Sequence, residues 1–307
     1  MGETFLIDVL LQRLHTIATD EQIFENEPLD KHTTMRVGGV ADIYFLPESA
    51  AQMAQALSWA GELDVPVLLM GNGSNLIVRD GGVRGLVVAL GERFSRIRVE
   101  GEELIAQAGA SLARVAVCAQ EAGLSGLEFA AGIPGTLGGG VAMNAGAYGG
   151  QISDVLVDAQ VLENGAEVTL TRAEMEMGYR TTLPLKRGLP VLSARFRLAR
   201  GDAQAIQEKM RCLNAQRREK QPLSLPSAGS VFKRPAGHFA GALIEAAGLK
   251  GLCVGKAQVS EKHAGFIVNL GGATARDVLG LIAQVQARVQ AHAGVWLETE
   301  VRIVGED

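Results

Sequence analysis

Three cysteines stand among the 307 residues, Cys118, Cys212 and Cys253, widely separated and never in CxxC spacing. An odd, scattered set provides neither a disulfide framework nor a thiolate metal site. Two fall on apolar periodicities, so free buried thiols in a reducing cytoplasm are the expected state. The histidines (His15, His32, His238, His263, His292) lack HExxH or any other ligand spacing, and no metal is expected. Basic excess is missing as well. With 29 Lys and Arg against 34 Asp and Glu, the formal net charge of −5 offers nucleic acid no attractive field. Residues 1–10 have no basic start and carry Glu3 and Asp8, so no signal peptide is read there. No run is long and apolar enough for a membrane span, and neither a membrane nor a nucleic acid is expected as partner. What is left is an ordinary globular composition, 47% hydrophobic and 21% charged, long enough for two or three domains.

Glycine, by contrast, is plentiful, and it clusters. Residues 132–150 read GIPGTLGGGVAMNAGAYGG, with no charge at all. A spanning helix wants Leu, Ile, Val and Phe, not a backbone of glycines with Pro134. Two readings stay open on composition. Bare N–H groups here can approach an anionic or flat ligand closely, or the stretch is a tightly packed turn region with no ligand. A second loop, Gly71-Asn-Gly-Ser-Asn-Leu76, follows the apolar run 65–70. It is not a Rossmann fingerprint, because position 76 is leucine where the third glycine belongs and no helix pattern follows. No Gly-Lys-Ser/Thr exists to make a P-loop. A turn rich in Gly, Ser and Asn can still donate to a diphosphate, and the loops at 71–76 and 134–146 suggest one dinucleotide held from two sides.

Periodicity places these loops among alternating elements. Residues 5–18 and 203–220 read as helices, the latter ending in Arg217, Arg218 and Lys220 before Pro222. Ser49, Ser111 and Thr274 read as helix N-caps, with Gly61, Gly123 and Gly294 as the corresponding stops. A further alanine-rich helix is read at 241–247. Strands are expected at 41–46, 65–70, 77–78, 86–90, 190–198 and 266–270. Hairpins are expected around Glu100-Gly101-Glu102 and over Asn164-Gly165, the strongest short turn signal in the chain. Residues 296–303 alternate, with Leu297, Val301 and Ile303 on one face and Trp296, Glu298, Glu300 and Arg302 on the other, and predict a closing strand.

Five segments occur in a recognisable order: VPVLLMGNGSNL (65–76), IPGTLGGGVAMNAGAYG (133–149), GYR (178–180), AGSVFKRP (228–235) and LETEVRIVG (297–305). Together they resemble the MurB family of UDP-N-acetylenolpyruvoylglucosamine reductases, over residues 33–305. The resemblance implies an α+β fold: an FAD-binding module of the vanillyl-alcohol-oxidase (PCMH) type plus a C-terminal α/β substrate-binding domain. It divides the chain into FAD-binding subdomains 1–91 and 92–202 and a substrate-binding domain 203–307. It implies non-covalent FAD along Gly71, Asn72, Gly73, Ser74, Asn75, Leu76 and along Ile133, Pro134, Gly135, Thr136, Gly138, Gly139, Asn144, Ala145 and Gly146.

The reaction implied is NADPH-dependent reduction of an enolpyruvyl ether on a nucleotide sugar. Charge developing beside the substrate carboxylate needs a fixed cation and one proton source. By resemblance Ser230 is the proton donor, Arg180 the cation and Glu300 the acidic partner, while Tyr179, Lys220, Lys233 and Arg234 meet the substrate. A serine hydroxyl is a poor acid and needs nearby cations or a relay, for which Lys233 and Arg234 are candidates. Read without the family, Ser230 is a turn serine, Arg180 a neutraliser of Glu174 or Glu176, and Glu300 part of a solvated face. His263 is read as packed rather than catalytic. There are two departures. A longer branch of the family carries a tyrosine on an extra loop after the Tyr-Arg motif, but here residues 181–189 are short and without an aromatic, and Arg234 replaces an asparagine.

Overall fold

The computed structural model describes residues 3–307; Met1 and Gly2 lie outside the described residues. The chain forms two compact units. The first holds residues up to Glu25, Asp42–Asn72 and Gly85–Gln216, and the second Asn26–Ala41, Gly73–Arg84 and Arg217–Asp307. Helices and strands are mixed throughout, and no helix among the described residues is long and apolar enough to cross a membrane.

The first sheet runs in the order Ile23–Pro28, Val40–Phe45, Val83–Ala89, Val67–Met70. Its last two strands are parallel and are connected by residues 71–82, while the helix Ala50–Glu62 joins Val40–Phe45 to Val67–Met70. Ser49 starts that helix by accepting from the Gln52 N–H at 3.2 Å. Met53, Ala56 and Ala60, spaced as one helical face, pack with Ile43, Phe45, Leu86 and Val88, and with Leu10 and Leu14 from the helix Glu3–Leu14. The helix runs through Gly61, which therefore does not stop it; the cap falls on Leu63.

The second sheet of this unit is antiparallel, in the order Ala166–Thr171, Leu156–Glu163, Val191–Arg197, Glu103–Gln107, Ile97–Glu100. Asn164-Gly165 makes a two-residue turn between Glu163 and Ala166, with φ of 51° and 79°, the type I′ signature expected of Asn-Gly. A separate core lies beneath it. Val115, Ala116 and Ala119 of the helix Leu112–Glu121 and Leu137 and Val141 of the helix Leu137–Ala142 pack with Leu104, Ala159, Val161 and Phe196.

The second unit has an antiparallel sheet, Ser227–Ser230, Phe266–Asn269, Ala257–Val259, Cys253–Val254. The helix Ala275–Ala293 covers it. Thr274 and Asp277 exchange side-chain bonds in a capping box, Asp80 accepts from the N–H groups of Ala275 and Arg276, and Gly294 closes the end at φ 69°. Burying Val278, Leu281, Ile282, Val285 and Val289 is worth on the order of 10 kcal/mol by area, far more than propensity contributes.

Two further expectations are corrected. The closing strand is only Arg302–Val304, parallel to Leu76–Val78. Residues 296–301 instead lie across 231–233: Lys233 N–H donates to Glu298 O, Glu300 N–H donates to Val231 O, and Phe232 bridges Thr299. Leu297 and Val301 are buried as the alternation requires, but Ile303 is exposed. The cysteines are not all buried, since Cys212 and Cys253 are exposed and Cys118 half-buried. Cys212 lies two positions past Met210, off the face that carries Ile206 and Met210 into the core. A strand not read from the sequence, Ile23–Pro28, follows the first helix; its single buried residue, Ile23, leaves no alternation to read.

Candidate functional site

The helix Leu137–Ala142 has the sequence LGGGVA, and each glycine there costs about 1 kcal/mol of helix propensity. Close approach explains two of them. A Cβ at Gly138 would lie 2.8 Å from the Ala108 Cβ, and one at Gly140 2.8 Å from the Leu112 Cδ1. The N–H groups of Leu137 and Gly138 donate to Ala110 O and Ala108 O at 2.7 and 2.8 Å. Gly139 differs. It is exposed, and a Cβ there would find only Thr136 Oγ1 within 4 Å. Its N–H has no hydrogen-bond partner among the described residues. This is bare backbone turned to open space, the feature a flat or anionic ligand requires.

The other glycine loop begins against this one. A Cβ at Gly71 would sit 2.1 Å from Thr136 Oγ1, and Asn72 Nδ2 donates to Pro134 O at 3.4 Å. Two loops 62 residues apart in sequence at this contact therefore share one surface in the first unit, at Gly71, Asn72, Pro134 and Thr136. Ile133 packs on the core and Gly135 O accepts from Leu112 N–H. Downstream, Ala145 N–H donates to Gly140 O, and Gly146 pairs with Gln151 in a short ribbon.

From Gly73 the first loop belongs to the second unit. Gly73 takes φ +58° and leaves no room for a side chain, since a Cβ would meet His32 O at 2.2 Å. Half-buried Ser74 follows, then Asn75, whose Nδ2 donates to Glu300 O at 3.1 Å and whose carbonyl accepts from Arg302 N–H at 2.9 Å. Leu76 is buried in the strand that pairs with Arg302–Val304.

Within the second unit Ser230 and Glu300 are brought together. Ser230 ends the strand Ser227–Ser230 and is exposed, and the next residue, Val231, accepts the Glu300 N–H at 2.7 Å. Of the expected substrate residues in this unit, Lys233 Nζ lies 3.1 Å from Glu298 Oε2, the Arg234 guanidinium stacks 4.0 Å over exposed Phe239, and Lys220 is exposed at a helix C-terminus. Arg180 belongs to the first unit. It occupies the tight turn Gly178–Thr181 at φ +55°, 5.2 Å from the Tyr179 ring centroid, with Nη2 donating to Gly146 O at 3.5 Å. Glu174 is bonded by Thr171, and Glu176 by Lys186. His263 packs edge-on against Phe266, its Nδ1 accepting from Gly265 N–H at 3.1 Å, and burial lowers its pKa.

Residues 41–171 match the profile described as "FAD binding domain", and residues 221–304 that described as "UDP-N-acetylenolpyruvoylglucosamine reductase, C-terminal domain". The UDP-N-acetylenolpyruvoylglucosamine reductase of Pediococcus pentosaceus is 52% identical over 93% of this chain and 95% of its own. The chain belongs to this reductase family. The Exiguobacterium sibiricum reductase is 48% identical over 98% of this chain and 99% of its own. Among solved structures, the UDP-N-acetylenolpyruvylglucosamine reductase (MurB) of Thermus caldophilus aligns at TM-score 0.79 and 36% identity, covering 92% of this chain and 98% of that one. Substrate-bound p-cresol methylhydroxylase aligns at TM-score 0.50 and 13% identity, covering 64% and 44%, and shares the fold alone. The fold is therefore α+β, a PCMH-type FAD-binding module with a C-terminal reductase-family domain, and the chain is an FAD-dependent oxidoreductase of peptidoglycan synthesis. The bare Gly139 backbone and the joined loops at Gly71 and Thr136 fit FAD.

Two supporting side chains went unread in the sequence. Glu128 is 4% exposed and accepts from Ser125 Oγ at 2.6 Å and Gly126 N–H at 3.0 Å, fixing the turn that leads into Ile133. Burial raises its carboxyl pKa, but the hydrogen bonds and nearby Lys209 outweigh this and hold it below the ordinary value. The Ser-x-x-Glu spacing at 125–128 was the available signal. Thr182 caps the helix Leu183–Arg187, a role its position before Leu-Pro could have revealed.

Proposed function

We propose that this chain reduces UDP-N-acetylenolpyruvoylglucosamine to UDP-N-acetylmuramate with NADPH, in the cytoplasm. The juxtaposition of Ser230 with Glu300 in a chain of this family carries the reading. FAD, when bound, would supply the hydride-transfer chemistry that links NADPH to the terminal enolpyruvyl carbon. The 71–76 and 133–146 loops would hold it through backbone N–H groups, with Gly139 as the bare position. Arg180 neutralises charge that builds on the substrate carboxylate as the neighbouring carbon becomes electron-rich. The Ser230 hydroxyl gives its proton to that carbon, and Glu300, the acidic partner, lies at the next residue's carbonyl. Lys220 and Arg234 meet the nucleotide diphosphate as point charge and fork, with Tyr179 and Lys233 also on the substrate.

The three hydrophobic cores support a division into two FAD-binding subdomains, 1–91 and 92–202, and a substrate-binding domain, 203–307. Residues 26–41 and 73–84 join the last of these by their contacts.

The test is colour. The purified protein should be yellow, bleach with NADPH and recolour anaerobically on adding the enolpyruvyl nucleotide. Ser230→Ala should still bleach and should lose the recolouring. Near-normal turnover in Ser230→Ala removes the proton-donor role. Recolouring by oxygen alone, with no response to the nucleotide, marks an oxidase of the same fold.

A further inference from the structure

Asn144 sits at the end of the glycine-rich helix, 3% exposed and at φ +44°. Its resemblance-based role is to touch FAD, yet its side chain is committed within the chain. Nδ2 donates to Gly178 O at 3.0 Å and to Gln151 Oε1 at 3.4 Å, while Oδ1 accepts from Ser153 N–H at 3.0 Å. Both amide hydrogens are thereby used. Gly178 opens the turn that presents Arg180. The turn's own bond to that carbonyl, from Thr181 N–H, is long at 3.5 Å, so Asn144 makes the shorter contact. On the far side of the turn Thr182 is fully buried, and its hydroxyl donates to Ala142 O at 2.7 Å and accepts from Leu185 N–H. Arg180 itself is held at φ +55°, a region that a non-glycine residue keeps only where its surroundings over-determine it.

We propose that Asn144 and Thr182 are positioning residues for Arg180. They tie its turn to the C-terminal end of the helix Leu137–Ala142, so that the segment cradling the flavin also sets where the guanidinium points. This rests on the reading in which Arg180 meets the substrate carboxylate. Neither side chain is asked to touch flavin or substrate.

The variants are Asn144→Asp, which keeps shape and tolerance of positive φ but loses the donor to Gly178 O, and Thr182→Val, which loses the hydroxyl. In the holoenzyme, flavin content and bleaching by NADPH in Thr182→Val should stay within about 2-fold of wild type. Reoxidation by the enolpyruvyl nucleotide should slow by about 10- to 100-fold, the range for a buried polar group left unpaired. On an Arg180→Lys background the same substitutions should add less than about 3-fold, because they act through residue 180. A readout that needs no substrate is amide exchange in residues 178–181, which should speed up by about 10-fold in either variant. Unchanged exchange overturns the proposal whatever the substrate proves to be. Full additivity with Arg180→Lys, or parallel loss of bleaching and reoxidation, also overturns it. A wild-type protein that ignores the nucleotide while the exchange result holds refutes the proposed reaction and leaves the positioning of Arg180 intact.

Discussion

Replacing Glu128 with glutamine keeps the shape of the side chain and removes its charge. The carboxylate is 4% exposed and accepts from Ser125 Oγ and Gly126 N–H, with Lys209 Nζ 3.5 Å away. Lys209 is 60% exposed, so its pairing is worth under about 1 kcal/mol. The hydrogen bonds dominate. Glutamine has a single acceptor oxygen, which keeps Gly126 N–H, and its NH₂ faces Ser125 Oγ, which turns to accept. Two charge-assisted bonds become neutral ones and the Lys209 pairing is lost, which costs about 2–3 kcal/mol together. The first unit has roughly 190 residues, where each kcal/mol is worth about 2–4 °C. Thermal unfolding of the holoenzyme followed by circular dichroism at pH 7 should therefore fall by roughly 5–10 °C in Glu128→Gln. The pH dependence gives a second check. Because the folded carboxyl pKa is lowered, its stabilisation is fully present above the ordinary carboxylate value and is lost as pH falls through the folded one. The gap between wild type and variant should persist at pH 5 and close only below about 4. A variant within 1 °C of wild type at pH 7, or a gap that closes already at pH 6, refutes the reasoning.

Three further outcomes are expected. Gly71→Ala drives a Cβ to 2.1 Å from Thr136 Oγ1; the purified protein should lose most of its flavin colour, and Thr136→Ala in the same chain should restore it, whereas full flavin content in the single variant would contradict the joined loops. Asn164→Val forces a β-branched residue to φ 51° in the type I′ turn, so denaturant unfolding should show a loss of about 1–2 kcal/mol, and an unchanged midpoint would speak against it. Burial lowers the His263 pKa, so the folded state takes up its proton later than the unfolded chain and stability falls as pH drops below about 6.5; His263→Gln should flatten that slope between pH 7 and 5 in thermal melts, and equal slopes would exclude the assignment.

Much of the fold was legible because it is local. Ser49, Ser111 and Thr274 each accept from the N–H three residues on, a relation contained in a few residues of chain. Asn164-Gly165 encodes its hairpin in the same way. The closing strand misled because alternation reports burial, not pairing. Leu297 and Val301 are buried, yet the backbone between them bonds to 231 and 233 instead of a ladder. The site was legible mainly as motifs in order, since nothing in the spacing of Asn144 and Gly178 announces a 3.0 Å bond across 34 residues.

Sequence alone determined where helices begin, where the sharp turns fall, and that two glycine-rich loops are too bare for anything but tight packing or close approach to a ligand. Those are properties of neighbouring residues and their allowed dihedrals. Only the tertiary structure decided that Gly138 and Gly140 serve packing while Gly139 stays open, that Gly71 abuts Thr136, and that Glu300 lands beside Ser230. Such pairings depend on how distant segments of backbone come to share hydrogen bonds and volume, and no local pattern carries that information.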